Sequence, residues 1–232
     1  MARKEAPVND GSTGPPDQRW AQTVAARSTR AHGRRTLVKL LDAAVAEFAA
    51  HGWHGARMAR LAKRAGTAHG TVYAYFADKD DLLFALSQDA GAELRAAMLS
   101  MPEFEQGPEG FFRLRAWVEE VCTHFRRHAP VFHAVAEVLL DEENTRAGRA
   151  GLRDQRRVLT LFGDRIRATG STGLDPEMAA LCIYALLEGA NESVHRGELL
   201  VSDEELVTGI AEFVQRSVFG ADTPVQRRGV TA

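Results

Sequence analysis

The stretch Met58-Ala59-Arg60-Leu61-Ala62-Lys63-Arg64-Ala65-Gly66-Thr67-Ala68-His69-Gly70-Thr71-Val72-Tyr73-Ala74-Tyr75-Phe76 decides the fold. Met58, Leu61, Ala62 and Ala65 share one face of a short helix that Gly66 stops, and Val72, Tyr73 and Phe76 form a second short helix. Ala62, Gly66 and Val72 stand where a helix-turn-helix needs them. The small residue lets the second helix approach, the glycine takes a left-handed turn, and the apolar residue seals the contact. The second helix is then held outward, able to enter a major groove about 12 Å wide. A tight helical corner of another purpose shows the same spacing, so the surroundings must decide.

Upstream, Leu37, Leu40, Leu41, Ala44, Val45 and Phe48 recur at helical period until Gly52. Downstream, Asp78 is placed as a helix cap, with Asp80 and Asp81 in the first turn against the helix dipole. Leu82, Leu83, Leu86, Ala90, Leu94, Ala97 and Met98 then continue one long helix to about residue 100. Pro108 and Pro130 suit first-turn positions, as does Pro176 after a capping Asp175, and Ser202 with Glu205 makes a capping box. No strand-like alternation appears. The expectation is an all-α chain of about nine helices. It comprises a flexible tail (1–32), a helix-turn-helix unit (33–80), a larger helical unit (81–219) and a second tail (220–232).

The chain has 232 residues, 45% of them hydrophobic and 26% charged, enough for a sizeable core and against wholesale disorder. Its two cysteines, Cys122 and Cys182, form no CxxC pair, which excludes a disulfide scaffold and suits a reducing compartment. Met1 to Pro7 lacks the apolar stretch of a secretion signal, and the longest apolar run, Met178 to Leu187, is about half of what spans a bilayer. A cytoplasmic protein with no membrane partner is expected. The net charge of −2 hides a split: residues 1–88 carry +5 and residues 89–232 carry −7. A basic front on an acidic remainder points to a polyanion at one end only.

Ala65-Gly66-Thr67-Ala68-His69-Gly70-Thr71-Val72-Tyr73-Ala74-Tyr75-Phe76-Ala77-Asp78-Lys79-Asp80-Asp81-Leu82 closely resembles the recognition segment of the TetR family of bacterial repressors. Phe48-Ala49-Ala50-His51-Gly52-Trp53 is similar to the end of that family's first helix, and the specific likeness covers residues 34–88. The resemblance implies that Thr67, Ala68, His69, Gly70 and Thr71 face bases and phosphates, with Gly70 allowing close backbone approach. It implies that Tyr73 and Tyr75 reach the backbone or a thymine methyl, and that Lys79 meets a phosphate beside the next helix N-terminus. By themselves, Tyr73 and Phe76 are candidates for partial core burial, and His69 for a solvated side chain.

Two departures stand out. Thr67-Ala68 replaces the family's Val-Ser, which removes a capping hydroxyl at Ala68 and offers one at Thr67. Ala56-Arg57 replaces its Thr or Ser, exchanging a cap hydrogen bond worth about 1 kcal/mol for a cation, Arg57, near the phosphates. Arg27, Arg30, Arg34 and Arg35 either reach a groove or phosphates or are an ordinary solvated tail.

The rear half resembles the family's regulatory half more loosely, which implies a small-molecule cavity and a dimer made by the last two helices. A palindromic double-stranded DNA operator with half-sites about 34 Å apart also calls for a homodimer. Ala185 and Gly189, four apart, permit close helix approach. An apolar, aromatic-rich set (Trp117, Val121, Phe125, Phe132, Phe162) with polar Cys122, His133, Tyr184, Glu188 and Asn191 suits a small hydrophobic or aromatic effector. Most such aromatic stripes are core. Glu120, His124 and His128 line one helix face and offer a divalent metal three ligands, with no fourth indicated; a surface helix with a Glu–His pair is the plainer alternative. No phosphate loop, nucleophile elbow, paired-carboxylate spacing or HExxH occurs, so no enzyme and no cofactor is expected. The expectation is a homodimeric repressor released from its operator by the effector. A DNA-binding dimer without an effector, and a metal sensor, are the alternatives.

Overall fold

The computed structural model describes residues 20–27, 30–103, 105, 107–140, 145–169, 174–198 and 200–219. Among these the regular structure is helical and no strand occurs: α1 (Ala21–Arg27), α2 (Ala31–Gly55), α3 (Met58–Arg64), α4 (His69–Tyr73), α5 (Lys79–Leu99), α6 (Pro108–Leu140), α7 (Arg146–Ala168), α8 (Pro176–His195) and α9 (Asp203–Phe219). The all-α expectation holds, but two of these helices are not those foreseen. The expected tails at 1–19 and 220–232 lie outside the described residues.

The first correction is α1. Composition places residues 20–27 in a flexible tail, yet Trp20 is fully buried and its indole Nε1 donates to Asp42 at 2.9 Å. Asp89 accepts from the first-turn amides of Gln22 and Thr23 at 2.9 and 3.2 Å, and the Thr23 hydroxyl donates to the Ala85 carbonyl. Ala21–Arg27 carries no apolar stripe beyond Val24, so docking rather than local pattern makes this short helix helical. The second correction is Pro130, which lies inside α6 instead of opening a new helix. The flanking Ala129 and Val131 are buried, and this packing outweighs the hydrogen bond that proline cannot donate.

Other local signals are realised. Leu37, Leu40, Leu41, Ala44 and Phe48 of α2 are buried, and Gly52 departs from helical geometry at φ 61° before one further turn. Asp78 accepts from the Asp81 amide at 2.8 Å, and Asp175 accepts from that of Met178 at 3.1 Å. Ser202 and Glu205 exchange both bonds of the capping box: the Ser202 amide donates to Glu205 at 2.8 Å and the Glu205 amide to the Ser202 hydroxyl at 3.2 Å.

The chain divides into two compact units. The first takes the described residues through Asp89 together with Pro130–Gly148; the second takes Ala90–Ala129 and the residues from Arg149 onward. In the first, Asp80 accepts from the amides of Arg146 and Ala147 at 2.9 and 3.0 Å, so it caps α7 besides standing in the first turn of α5. In the second, the Trp117 indole donates to the Ala97 carbonyl at 2.8 Å and Arg165 donates to that of Met101 at 2.6 and 3.0 Å.

Candidate nucleic-acid interface

The corner between α3 and α4 is built on Gly66, whose φ of 66° is the left-handed value that a side chain would resist. The Gly66 amide donates to the Lys63 carbonyl at 3.2 Å and the Thr67 amide to that of Ala62 at 3.0 Å, closing α3 with a Schellman motif. Ala62 and Val72 are buried, as the spacing requires. Phe76 is fully buried as well.

The opposite side of α4 faces water. Ala68, His69, Gly70 and Tyr73 are exposed, and Thr67 and Thr71 are half-buried. Tyr73 is 48% exposed, so it is no core residue; its ring meets His69 edge-on with centroids 5.1 Å apart. A side chain at position 70 would meet no atom within 4 Å, so nothing within the described protein requires glycine there.

The Thr67 hydroxyl does not take over the missing cap. Ala68 caps α4 with no side-chain hydrogen bond, and Thr67 Oγ1 is buried without a hydrogen-bonding partner. Its position just before the cap residue places the hydroxyl away from the amides it would have to reach. At the start of α3, Arg57 is exposed and caps nothing through its side chain. Glu47, buried on α2, instead accepts from the Arg57 amide at 3.2 Å and from Arg60 Nε at 2.7 Å. Composition offered no sign of this acid, because its partner is ten or more residues away.

Three further residues behave differently from the sequence expectation. Arg27 is not a solvated tail residue: it pairs with Asp81 through two nitrogens at 2.6 and 2.9 Å, donates to the Tyr75 carbonyl, and stacks over Phe76. Lys79 turns inward, its Nζ donating to the Trp53 carbonyl at 2.6 Å. Tyr75 is half-buried and its hydroxyl donates to the Gly33 carbonyl at 3.3 Å. Lys63 and Arg64 are exposed in the last turn of α3; the sequence shows their charge but not the face they occupy.

The residues proposed for an effector fall into both units. Phe132 and His133 belong to the first, with the helix-turn-helix, and the other eight belong to the second. There Trp117, Val121, Cys122, Phe125, Phe162, Tyr184 and Asn191 are buried, and Glu188 is exposed on α8. They pack on one another: Trp117 stacks on Phe162 with centroids 5.8 Å apart, and Phe125 meets Tyr184 edge-on at 6.0 Å. Asn191 Nδ2 bridges Cys122 Sγ at 3.3 Å and the Leu187 carbonyl at 2.7 Å. Burial pushes both the Cys122 thiol and the Tyr184 phenol up from their ordinary pKa values.

Glu120 is exposed and takes no part in the cluster foreseen with His124 and His128. Glu93 stands in its place, and His128 is fully buried, so the plainer picture of a surface Glu–His pair is also corrected. Burial raises the Glu93 pKa, but the adjacent His124 and the hydrogen-bonded His128 outweigh it and hold the carboxyl at about 2. A different apolar feature lies on α8 and α9: an open groove of about 280 Å³ lined by residues including Leu186, Ala190, Leu206, Ile210 and Phe213. No helix among the described residues is long and apolar enough to cross a membrane.

Comparison with known proteins matches residues 40–86 to the model of bacterial regulatory proteins, tetR family. The fatty acid metabolism regulator protein of Bacillus subtilis is 39% identical over 56 residues, covering 24% of this chain and 29% of that protein. The match therefore spans less than a third of that relative's length. A TetR-like transcriptional regulator from Rhodococcus sp. RHA1 superposes with a TM-score of 0.59 at 21% identity, over 82% of this chain and 97% of its own. The Bacillus subtilis regulator FadR, solved with stearoyl-CoA, gives 0.60 at 19% identity over 78% and 99%. Residues 40–86 thus match the model of bacterial regulatory proteins, tetR family, within a chain whose fold is similar to that of TetR-like regulators.

Proposed function

We propose that this chain is a homodimeric DNA-binding transcriptional repressor, released from a palindromic operator by a small hydrophobic effector. The observation that carries it is the exposed side of α4. His69, Gly70 and Tyr73 face solvent while Val72 and Phe76 anchor the helix from behind, and position 70 is open space. Such a surface offers side chains to base edges, and its bare glycine lets the backbone approach a phosphate closely. Thr67, Ala68 and Thr71 extend it, with Arg57, Lys63 and Arg64 supplying sequence-independent attraction. Tyr75 and Lys79 contribute from positions partly held by Gly33 and Trp53.

Dimerisation rests on α8 and α9. Met178, Leu181, Cys182, Ala185 and Gly189 are exposed at helical spacing on α8, and Phe213 is 47% exposed on α9. An apolar face of this kind is costly in water and marks an interface. The effector is proposed as acyl-like or aromatic, in keeping with the buried aromatic set of the second unit and with the stearoyl-CoA bound by the FadR neighbour. Release would be a population shift: a ligand that binds better to the state of lower operator affinity favours that state.

The mutual packing of Trp117 with Phe162 and of Phe125 with Tyr184 favours a second reading, a DNA-binding dimer whose rear half serves only to dimerise. Selection of bound fragments from the source genome by the purified protein at moderate salt tests the main reading. Recovery of one short palindrome is expected. Recovery of salt-labile background alone overturns it.

A further inference from the structure

Glu93 on α5 and His124 and His128 on α6 place a carboxylate oxygen and two imidazole nitrogens within 4.8 Å of one another, all inside the second unit. His128 Nε2 lies 2.8 Å from Glu93 Oε2, and His124 Nδ1 lies 3.5 Å from the same oxygen. The two histidines are four apart on one helical face, their rings parallel to within 3° and their centroids 6.5 Å apart. Neighbouring ligands of an ion with bonds of about 2.0–2.2 Å stand roughly 3–3.5 Å apart, close to the two distances measured from Glu93 Oε2.

Satisfying a buried histidine accounts for one of these contacts. His128 is fully buried and needs an acceptor, which Glu93 supplies. That role leaves unexplained why His124, and Arg127 at 3.8 Å, are directed at the same oxygen. One carboxylate oxygen is thereby addressed by three nitrogen groups, a concentration of donors that a single cation would replace.

We propose that Glu93, His124 and His128 form a binding site for a divalent transition-metal ion of the zinc class, which joins α5 to α6. Two imidazoles and one carboxylate suit zinc, cobalt or nickel, whereas calcium and magnesium prefer oxygen-rich sets. The side chains of Glu93 and His124 are 24% and 18% exposed, so the cluster is not wholly sealed from solvent. The Arg127 side chain is 32% exposed. This proposal does not depend on the reading of the chain as a DNA-binding regulator.

The test is titration of the untagged full-length chain, carrying Cys182→Ser to remove the exposed thiol, with cobalt and then zinc. Binding is followed by cobalt visible absorption and by calorimetry. One ion per chain is expected, displaced by zinc, with at least tenfold weaker binding in Glu93→Gln and in His124→Gln. Glu93→Gln preserves shape and an acceptor, and His124 lies near the surface, so both variants retain the fold; circular dichroism verifies this. Zinc should also raise the melting temperature of the parent but not of either variant. Absence of stoichiometric uptake, or equal affinity in all three proteins, overturns the proposal.

Discussion

The ammonium of Lys79 is clamped by Trp53: it donates to the Trp53 carbonyl at 2.6 Å and sits 4.0 Å from the centre of the indole ring. A lysine proposed to meet a phosphate is therefore positioned by an aromatic residue at the end of α2. Lys79→Ala is expected to weaken binding to all DNA sequences alike, reducing the slope of log affinity against log salt by about 1. It should also lower unfolding free energy by about 1 kcal/mol through loss of the cation–π and hydrogen-bond contacts. Anisotropy titrations over a salt series, with urea unfolding alongside, check both. An unchanged salt slope with reduced stability would show that Lys79 only holds Trp53.

Two glycines of positive φ, Gly66 and Gly52, differ in what a side chain would meet, and Gly52, at ψ −172°, also lies in a region closed to nearly all other residues. Gly66 has φ 66° and open space where a Cβ would go, so Gly66→Ala pays the conformational penalty alone, about 1 kcal/mol. Gly52 has φ 61°, but its Cβ would stand 2.7 Å from a Glu137 carboxylate oxygen. That carboxylate accepts from the Trp53 amide at 2.8 Å, so Gly52→Ala also displaces a cap and should cost about 2 kcal/mol. Denaturant unfolding of the two variants should rank them in that order.

The Arg27–Asp81 pair should appear in the acid stability of the protein. The Arg27 hydrogen bond holds the Asp81 carboxyl below its ordinary value of 3.8, against the opposing effect of burial. A depressed folded-state pKa contributes stability that is present above the unfolded value and lost as pH falls through the folded one. Arg27→Ala should therefore cost about 2 kcal/mol at neutral pH, a difference that stays constant down to about pH 5 and shrinks below pH 4. Urea unfolding of both proteins between pH 3 and pH 7 checks this. A difference independent of pH would assign the loss to packing of α1.

The exposed apolar face of α8 leads to a prediction about assembly. Leu181 is 47% exposed, so Leu181→Glu costs the isolated chain little while placing like charges opposite each other in any twofold pairing of this face. Sedimentation is expected to show a dimer for the parent and a monomer for Leu181→Glu, with unchanged circular dichroism and DNA affinity lowered about a hundredfold or more. Dimers of undiminished stability in the variant would remove α8 from the interface.

What was legible in the sequence is what lies within one or two helical turns. Ala62, Gly66 and Val72 declared the corner, and Ser202 with Glu205 declared the start of α9, because their partners are three to six residues away. The basic front and acidic remainder were legible as totals. Pro130 shows the limit: a local rule predicts a helix start there, and burial of its neighbours on both sides overrides it.

The sequence alone thus determined an all-helical chain with an outward-facing short helix, since periodicity, capping and turn chemistry act between near neighbours. Only the tertiary structure decided that Trp20 docks on Asp42, that Glu47 holds Arg60, that Glu137 caps Trp53, and that Glu93 rather than Glu120 faces the two histidines. Those pairings join residues 13 to 84 positions apart. A buried charge or amide must find its partner wherever packing brings one, and no spacing along the chain records which partner that is.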